Sequence, residues 1–242
     1  MSCKVKIGEG ITEELFDLTD SQCQTLGIDS LMLLPDGSGA CGTHACVFQS
    51  RDPNWLIKIT DDAEDIRGLI RAKGSQHAVN TRAAYRLTGK RASGNRPLFA
   101  AVVEKVDQVK GNDRAYLTGV LYERLVTPAL RGFAGDRKYS VPQSVRDAVV
   151  PECENFARNL GQDPAAHRSS CRAVVNEALD AIEDFMNRGV AFTDVHAGNW
   201  GRRRGKLVAI DLGMSKPPFA KDRLRVPALA APPKRVWPPW HR

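Results

Sequence analysis

The chain has 242 residues, of which 42% are hydrophobic and 26% are charged, and its formal net charge at pH 7 is +7. This length allows one two-lobed domain or two small ones, each with a sizeable core. The sequence has no run of about 18 apolar residues, which excludes a membrane-spanning helix, and it lacks a signal-peptide core near its start, so we expect a cytoplasmic protein without a membrane partner.

The first half of the chain is rich in predicted strands. Residues 1–27 are interpreted as an N-terminal extension. Strands are predicted at 28–34, 45–49 and 55–59, helices at 61–72 and 76–87, and two further strands at 98–109 and 115–126. These elements predict a five-stranded antiparallel sheet with helices inserted after the third strand.

The second half is predicted to be mostly helical. Residues 173–188 place apolar side chains on one helical face, and Gly189 follows as a C-terminal cap. A hairpin is predicted at 200–203 and 206–210, around Arg204 and Gly205. Strands first and helices later indicate an α+β fold, with an N-lobe at 28–125, a minimal C-lobe at 126–215 and a tail at 216–242.

The tail differs in composition from the rest of the chain. Residues 216–242 hold seven Lys and Arg against one acidic residue, and they contain half of the fourteen prolines. Such a segment sustains no helical or strand period, so we expect it either to pack over the domain or to dock on a partner. Nucleic-acid binding is expected at most weakly, through this tail.

A constellation of oxygen-bearing side chains follows the predicted helix at 173–188. Asn199 lies five residues after Asp194, and Asp211 ends the apolar strand that comes next. In phosphoryl transfer, a loop aspartate orients the attacking hydroxyl and accepts its proton, while an asparagine and a second aspartate hold Mg²⁺. The spacing therefore predicts a site for ATP and Mg²⁺, with Asp194 catalytic and with Asn199 and Asp211 as metal ligands.

A glycine-rich turn and a lysine precede that constellation. Gly37, Ser38, Gly39 and Gly42 form a G-x-G-x-x-G turn between two predicted strands, where backbone N–H groups can approach phosphates. The turn does not open a helix, which excludes a dinucleotide-binding fingerprint, and it does not match a P-loop. Lys58 lies in the next strand among apolar residues, which suits a phosphate-binding lysine.

The segment Leu-Tyr-Glu-Arg-Leu at 121–125 ends the predicted fifth strand. We expect adenine to bond there to the backbone of Glu123 and Leu125, or the segment to be a plain linker between lobes.

The six cysteines are scattered without a recognisable pattern. The sequence therefore predicts reduced thiols rather than a disulfide framework. Cys41, His44 and Cys46 could belong to a zinc site, but a fourth ligand is not evident.

Together, these motifs resemble the protein-kinase-like superfamily over about residues 28–215. The loop D-V-H-A-G-N is also similar to the D-x-H-x-x-N loop of aminoglycoside and choline phosphotransferases. With L-I-K-I after D-P-N, the chain most resembles the small early serine/threonine kinases of short-tailed bacteriophages. The resemblance implies a two-lobed fold, ATP and Mg²⁺ as cofactors, and host proteins as phosphate acceptors.

The sequence departs from the usual kinase pattern at several positions. Phe192 stands where a histidine is usual, and His196 stands where protein kinases have lysine. His196 is expected either to contact the transferred phosphate or to fix the loop. The acidic partner of Lys58 is not obvious, with Glu64 and Glu104 as candidates. No A-P-E motif follows Gly213, so the surface that binds a protein substrate is expected elsewhere.

Three functions are compatible with these features. The first is a Ser/Thr protein kinase. The second is a small-molecule kinase of the aminoglycoside or choline type, which His196 favours. The third is a pseudokinase that binds a nucleotide or a partner, which the unassigned partner of Lys58 favours. The sequence does not indicate the oligomeric state.

Overall fold

The computed structural model describes residues 5–7, 11–13, 20–32, 40–42, 44–90, 97–130, 138–190 and 192–213. Over these residues the protein is mixed α+β, with an antiparallel sheet and several helices, as predicted. The described residues form two compact units. The first unit contains those up to Ile66 together with Thr81–Lys105, and the second contains Arg67–Asn80 and those from Val106 onward.

The first unit is built on an antiparallel sheet. Its strands are β3 (Ile28–Leu31), β4 (Ala45–Ser50), β5 (Trp55–Thr60), β6 (Thr81–Lys90) and β7 (Pro97–Glu104), in the spatial order β3-β4-β5-β7-β6. A two-stranded sheet of β1 (Val5–Ile7) and β2 (Ile11–Glu13), helix α1 (Asp20–Leu26) and the start of α2 (Ala63–Arg71) complete this unit.

One face of the five-stranded sheet carries the core of the first unit. Ile57 and Ile59 of β5 are completely buried in a cluster with side chains from α1, β4, β6 and β7. Burial of each such side chain contributes roughly 1.5–3 kcal/mol. Because successive side chains of a strand alternate between faces, Lys58 lies on the face opposite to this cluster.

The second unit is mostly helical. Its elements are β8 (Asp107–Gln108), α3 (Gly111–Tyr116), a π-helix (Leu117–Leu125), α4 (Val126–Leu130), α5 (Gln143–Asn159), α6 (Pro164–Asn187), a 3-10 turn (Ala197–Asn199), β9 (Trp200–Arg203) and β10 (Lys206–Ala209). The three short strands form an antiparallel sheet in the order β10-β9-β8.

Helix α6 confirms the helix predicted at 173–188. The Asp163 side chain caps its N-terminus by accepting a hydrogen bond from the Ala165 N–H. At its C-terminus, Gly189 has φ +73°, and the N–H of Val190 donates to the Phe185 carbonyl at 2.8 Å. This is the Schellman arrangement, in which glycine accepts the left-handed conformation that ends a helix. The apolar face predicted for α6 is buried: Val174, Ala178, Ala181, Ile182, Phe185 and Met186.

The predicted hairpin is also confirmed. Strands β9 and β10 pair from Arg203 with Lys206 to Trp200 with Ala209. Arg204 and Gly205 both have positive φ, at 51° and 81°. Two consecutive positive φ angles are typical of the tight turns whose twist matches that of paired strands.

Two predicted elements were wrong: one predicted helix is a strand, and one predicted strand is helical. Residues 81–90 form strand β6 rather than part of a helix at 76–87, because their backbone pairs with β7, and this pairing overrides a local preference for helix. Residues 115–126 are helical rather than a strand, and Leu117, Leu121 and Leu125 are buried at a spacing that fits a helical face. The sheet still has five strands, because β6 replaces the predicted fifth strand. The strand predicted at 98–109 divides into β7 and the separate β8.

The prediction of reduced thiols was wrong. Cys41 bonds to Cys46, and Cys153 bonds to Cys171; Cys23 is also disulfide-bonded. The second bridge joins α5 to α6, where helix packing brings the two Cα atoms to 5.9 Å, a distance typical of disulfides. Spacing along the chain could not reveal this approach. Within the described residues, no helix combines the length and the apolar character that crossing a membrane requires.

Candidate active site

The loop after α6 is anchored by aromatic packing. Phe192 is fully buried, with its ring centroid 5.5 Å from that of Phe185 and 5.1 Å from that of Trp200, both edge-on. The Trp200 indole N–H donates to the Val195 carbonyl at 2.9 Å. Phe192 therefore holds the base of the loop by packing.

Asp194 and Asn199 are joined by a hydrogen bond within this loop. The Asn199 side-chain amide donates to the Asp194 backbone carbonyl at 2.7 Å, and the Asn199 N–H donates to the His196 carbonyl at 3.0 Å. Since Nδ2 is the donor, the carbonyl oxygen Oδ1 of Asn199 is directed away from this bond. The spacing of five residues thus closes a compact loop in which Asn199 is buried.

His196 fixes the loop, which is one of the two roles predicted for it. Its Nδ1 accepts a hydrogen bond from the Gly198 N–H at 3.0 Å and so caps the 3-10 turn. In the neutral ring the proton then resides on Nε2, which lies 3.5 Å from Asp194 Oδ2. Asp194 has 44% of its side chain exposed, so its carboxylate is open to a reactant.

Asp211 is connected to the same loop through the backbone. The N–H of Ile210 donates to the Asn199 carbonyl at 2.9 Å, which places the residue before Asp211 beside the proposed metal ligand Asn199. The Gly213 N–H donates to Asp211 Oδ1 at 2.9 Å. Asp194, His196, Asn199 and Asp211 therefore lie within one loop-and-hairpin segment of the second unit.

Arg202 holds the hairpin that joins Asn199 to Asp211. Its guanidinium donates to Asp113 at 2.7 Å and to Glu177 at 2.9 Å, and Glu177 also accepts the Leu207 N–H at 2.7 Å. Burial alone would lower the pKa of Arg202, but the hydrogen bonds and charges of the two carboxylates outweigh it and raise the pKa. Sequence reasoning missed this residue, because its partners lie on α3 and α6.

Lys58 forms a buried ion pair with Asp65. The Lys58 Nζ atom lies 2.7 Å from Asp65 Oδ2, and the two side chains are only 4% and 3% exposed. Asp65 lies on α2 and is a partner that the sequence did not suggest, beside the candidates Glu64 and Glu104. The sequence did contain a signal for Asp65. Asp65 precedes the buried Leu69 and Ala72 by four and seven residues, a spacing that places it on the apolar face of its helix. An acid at such a position needs a partner.

The glycine-rich turn lies mostly outside the described residues, including Gly37, Ser38 and Gly39. Gly42 is described and exposed, and its N–H donates to the Ala45 carbonyl at 2.7 Å. The zinc alternative was wrong, because Cys41 and Cys46 are bonded to each other. His44 instead contacts the Asp61 carboxylate at 3.0 Å.

Glu123 and Leu125, at which adenine was expected to bind, lie in the π-helix rather than at the end of a strand. At the C-terminal end of the π-helix, the Val126 N–H donates to the Leu121 carbonyl as a helical hydrogen bond. The strand predicted for this segment was therefore wrong, and the adenine contact stays a prediction.

Neither a cluster of metal ligands among the described residues nor a known relative identifies the site. The described residues contain no group of three or more His, Cys, Asp or Glu side chains that could hold a metal ion. No model of a known protein family matches the chain, and comparison with curated proteins gives no significant match.

Proposed function

We propose that this chain is an ATP- and Mg²⁺-dependent phosphotransferase with a protein-kinase-like two-lobed fold, acting on serine or threonine of proteins, with host proteins of a phage-encoded enzyme as the acceptors. The observation that carries the proposal is the buried ion pair of Lys58 with Asp65 at 2.7 Å. Protein kinases require such a pair between a strand lysine and a helix acid, because it orients the lysine toward the phosphates.

The donor atoms in the second unit fit a hard divalent cation. Asn199 presents an amide oxygen and Asp211 a carboxylate, and Mg²⁺ prefers oxygen ligands and takes only one or two from protein when phosphates supply the rest. When bound, Mg²⁺ would neutralise charge that develops on the phosphates of ATP. Asn199 and Asp211 are the residues that would hold it.

The other residues receive roles from their chemistry. The exposed carboxylate of Asp194 accepts the proton of the acceptor hydroxyl, and His196 keeps that carboxylate oriented. Lys58 supplies a fixed positive charge for the phosphates. The backbone of the glycine-rich turn, from Gly37 to Gly42, contributes further phosphate contacts.

Transfer of labelled phosphate from ATP tests the proposal. The wild type should label dephosphorylated casein or proteins of a bacterial lysate in the presence of Mg²⁺, and labelling should cease when EDTA is added. Asp194→Asn should lower the rate by at least about 100-fold, the lower range for loss of a general base. Asp147→Asn, on the surface of α5, is the matched control. Equal labelling by the Asp194 variant and the wild type would contradict the assignment.

A small-molecule kinase is the second candidate, and His196 is the observation that favours it. The histidine replaces the lysine usual in protein kinases, and its Nδ1 is used by the loop. Turnover of aminoglycosides or choline, with no labelling of protein, would select this candidate. The pseudokinase alternative predicts ATP·Mg²⁺ binding by thermal shift with no transfer to any acceptor, but its main motive weakens because Lys58 has Asp65 as a partner.

A further inference from the structure

Tyr122 lies beside the catalytic loop with an exposed aromatic ring. Among the residues that the structure describes, Tyr122 and Leu160 are the exposed large hydrophobic side chains, at 42% and 54%. An isolated exposed hydrophobic residue is common and by itself indicates nothing. The position of Tyr122, however, differs from that of Leu160, which lies at the end of α5.

The ring of Tyr122 contacts the ring of His196. Their centroids are 6.2 Å apart and their planes are inclined by 87°. His196 Nε2 in turn lies 3.5 Å from the Asp194 carboxylate. Tyr122 is therefore separated by one side chain from the atom proposed to accept the proton of the acceptor hydroxyl.

The backbone under Tyr122 is unusual. Tyr122 belongs to a π-helix of nine residues, Leu117–Leu125, a conformation that is rare and occurs frequently at functional sites. The same helix is tightly packed at Gly119, since a Cβ there would lie 2.2 Å from a ring carbon of Phe156. The helix is thus fixed against α5 while Tyr122 remains exposed.

We propose that Tyr122 is a specificity-determining residue that contacts the polypeptide acceptor next to its reacting hydroxyl. This inference rests on the proposed function. The acceptor hydroxyl approaches the side-chain oxygens of Asp194. Tyr122 lies on the same side of Asp194, because its ring contacts His196, whose Nε2 lies 3.5 Å from Asp194 Oδ2. The proposed metal ligand Asn199 instead bonds to the backbone carbonyl of Asp194. A tyrosine ring offers a large contact area at low entropic cost, which suits binding of a residue that flanks serine or threonine.

Steady-state kinetics with dephosphorylated casein as the acceptor test this inference. Tyr122→Ala should raise the KM for casein about tenfold, a typical cost of removing an aromatic contact. The KM for ATP, and the hydrolysis of ATP without casein, should remain within about twofold of the wild type. Tyr122→Phe should restore the KM for casein because it keeps the ring, and Leu160→Ala should behave as the wild type.

Other outcomes would overturn the inference in distinguishable ways. An unchanged KM for casein with a lower kcat would show that Tyr122 only supports His196. A raised KM for ATP would place the ring against the nucleotide. If the wild type transfers phosphate to no protein and hydrolyses no ATP, the proposed function itself fails, and the role of Tyr122 fails with it.

Discussion

Gly68 of α2 lies directly against Leu212. A Cβ atom on Gly68 would stand 2.8 Å from the Leu212 Cβ and 3.1 Å from its carbonyl oxygen. Leu212 is completely buried and adjoins Asp211. Only a residue without a side chain fits here, so the position of the proposed metal ligand depends on a glycine three residues after Asp65.

The Gly68→Ala variant tests this contact. In a helix without tertiary contacts the substitution would stabilise by about 1 kcal/mol. Here we expect a loss of about 1–3 kcal/mol, because overpacking displaces its neighbours. Chemical denaturation gives the sign directly, and a stabilised variant would contradict the packing. Transfer activity should fall with stability, since the Asp211–Gly213 segment must move.

The ion pair of Lys58 and Asp65 predicts that a double variant can recover stability without recovering activity. Lys58→Met alone should cost about 3–5 kcal/mol, because it removes the positive charge that lies 2.7 Å from a buried carboxylate. Lys58→Met combined with Asp65→Leu should recover most of that loss, since a hydrophobic pair can replace a buried ion pair. Phosphate transfer should stay abolished in both.

Urea unfolding and labelled-ATP transfer would measure these two effects. Arg158→Ala, which breaks a partly exposed pair with Glu154, is the control and should cost at most about 1 kcal/mol. Activity recovered by the double variant would refute the role of Lys58.

Two variants of His196 distinguish the capping of the 3-10 turn from the contact with Asp194. His196→Asn should keep stability, because asparagine can accept the Gly198 N–H in the same way. His196→Ala should lose about 0.5–2 kcal/mol, as cap removal does. Both should lower kcat by about 10- to 100-fold, because the Asp194 carboxylate is no longer oriented. Thermal unfolding and steady-state kinetics would check this, and normal kcat in His196→Asn would remove the positioning role.

Arg202 should act at a distance from the reacting groups. Arg202→Lys keeps the charge but cannot bridge Asp113 and Glu177 with a planar fork. We expect a loss of about 1–3 kcal/mol and a lower kcat at saturating ATP, since the hairpin between Asn199 and Asp211 loosens. Arg204→Lys, in the exposed turn of the same hairpin, should change stability by less than about 0.5 kcal/mol. Similar effects of both variants would argue against the network.

The disulfides predict that the free energy of unfolding falls when reductant is added. Removing the Cys153–Cys171 bridge, by Cys153→Ala with Cys171→Ala, should cost about 3 kcal/mol according to loop entropy. The shorter Cys41–Cys46 loop should cost about 2 kcal/mol. Peptide mapping without reduction would identify the pairs, and denaturation with and without dithiothreitol would measure the losses. Free thiols at Cys153 in the untreated protein would contradict the pairing.

The sequence by itself determined the local features of the second unit. The spacing of Asp194 and Asn199, the cap at Gly189 and the turn at Arg204 and Gly205 all depend on residues close in the chain. Glycine conformation, helical periodicity and turn chemistry act over a few residues, so these features could be predicted without knowledge of distant partners.

Only the tertiary structure decided the rest. Residues 81–90 became a strand and residues 115–126 a helix because of backbone pairing with β7 and packing of the helical segment against α5. Asp65 proved to be a partner of Lys58, Arg202 supports the hairpin, and the thiols of α5 and α6 are joined. Each depends on groups distant in sequence that folding brings within a few ångströms, where burial makes an unpaired charge costly and strand pairing outweighs local propensity.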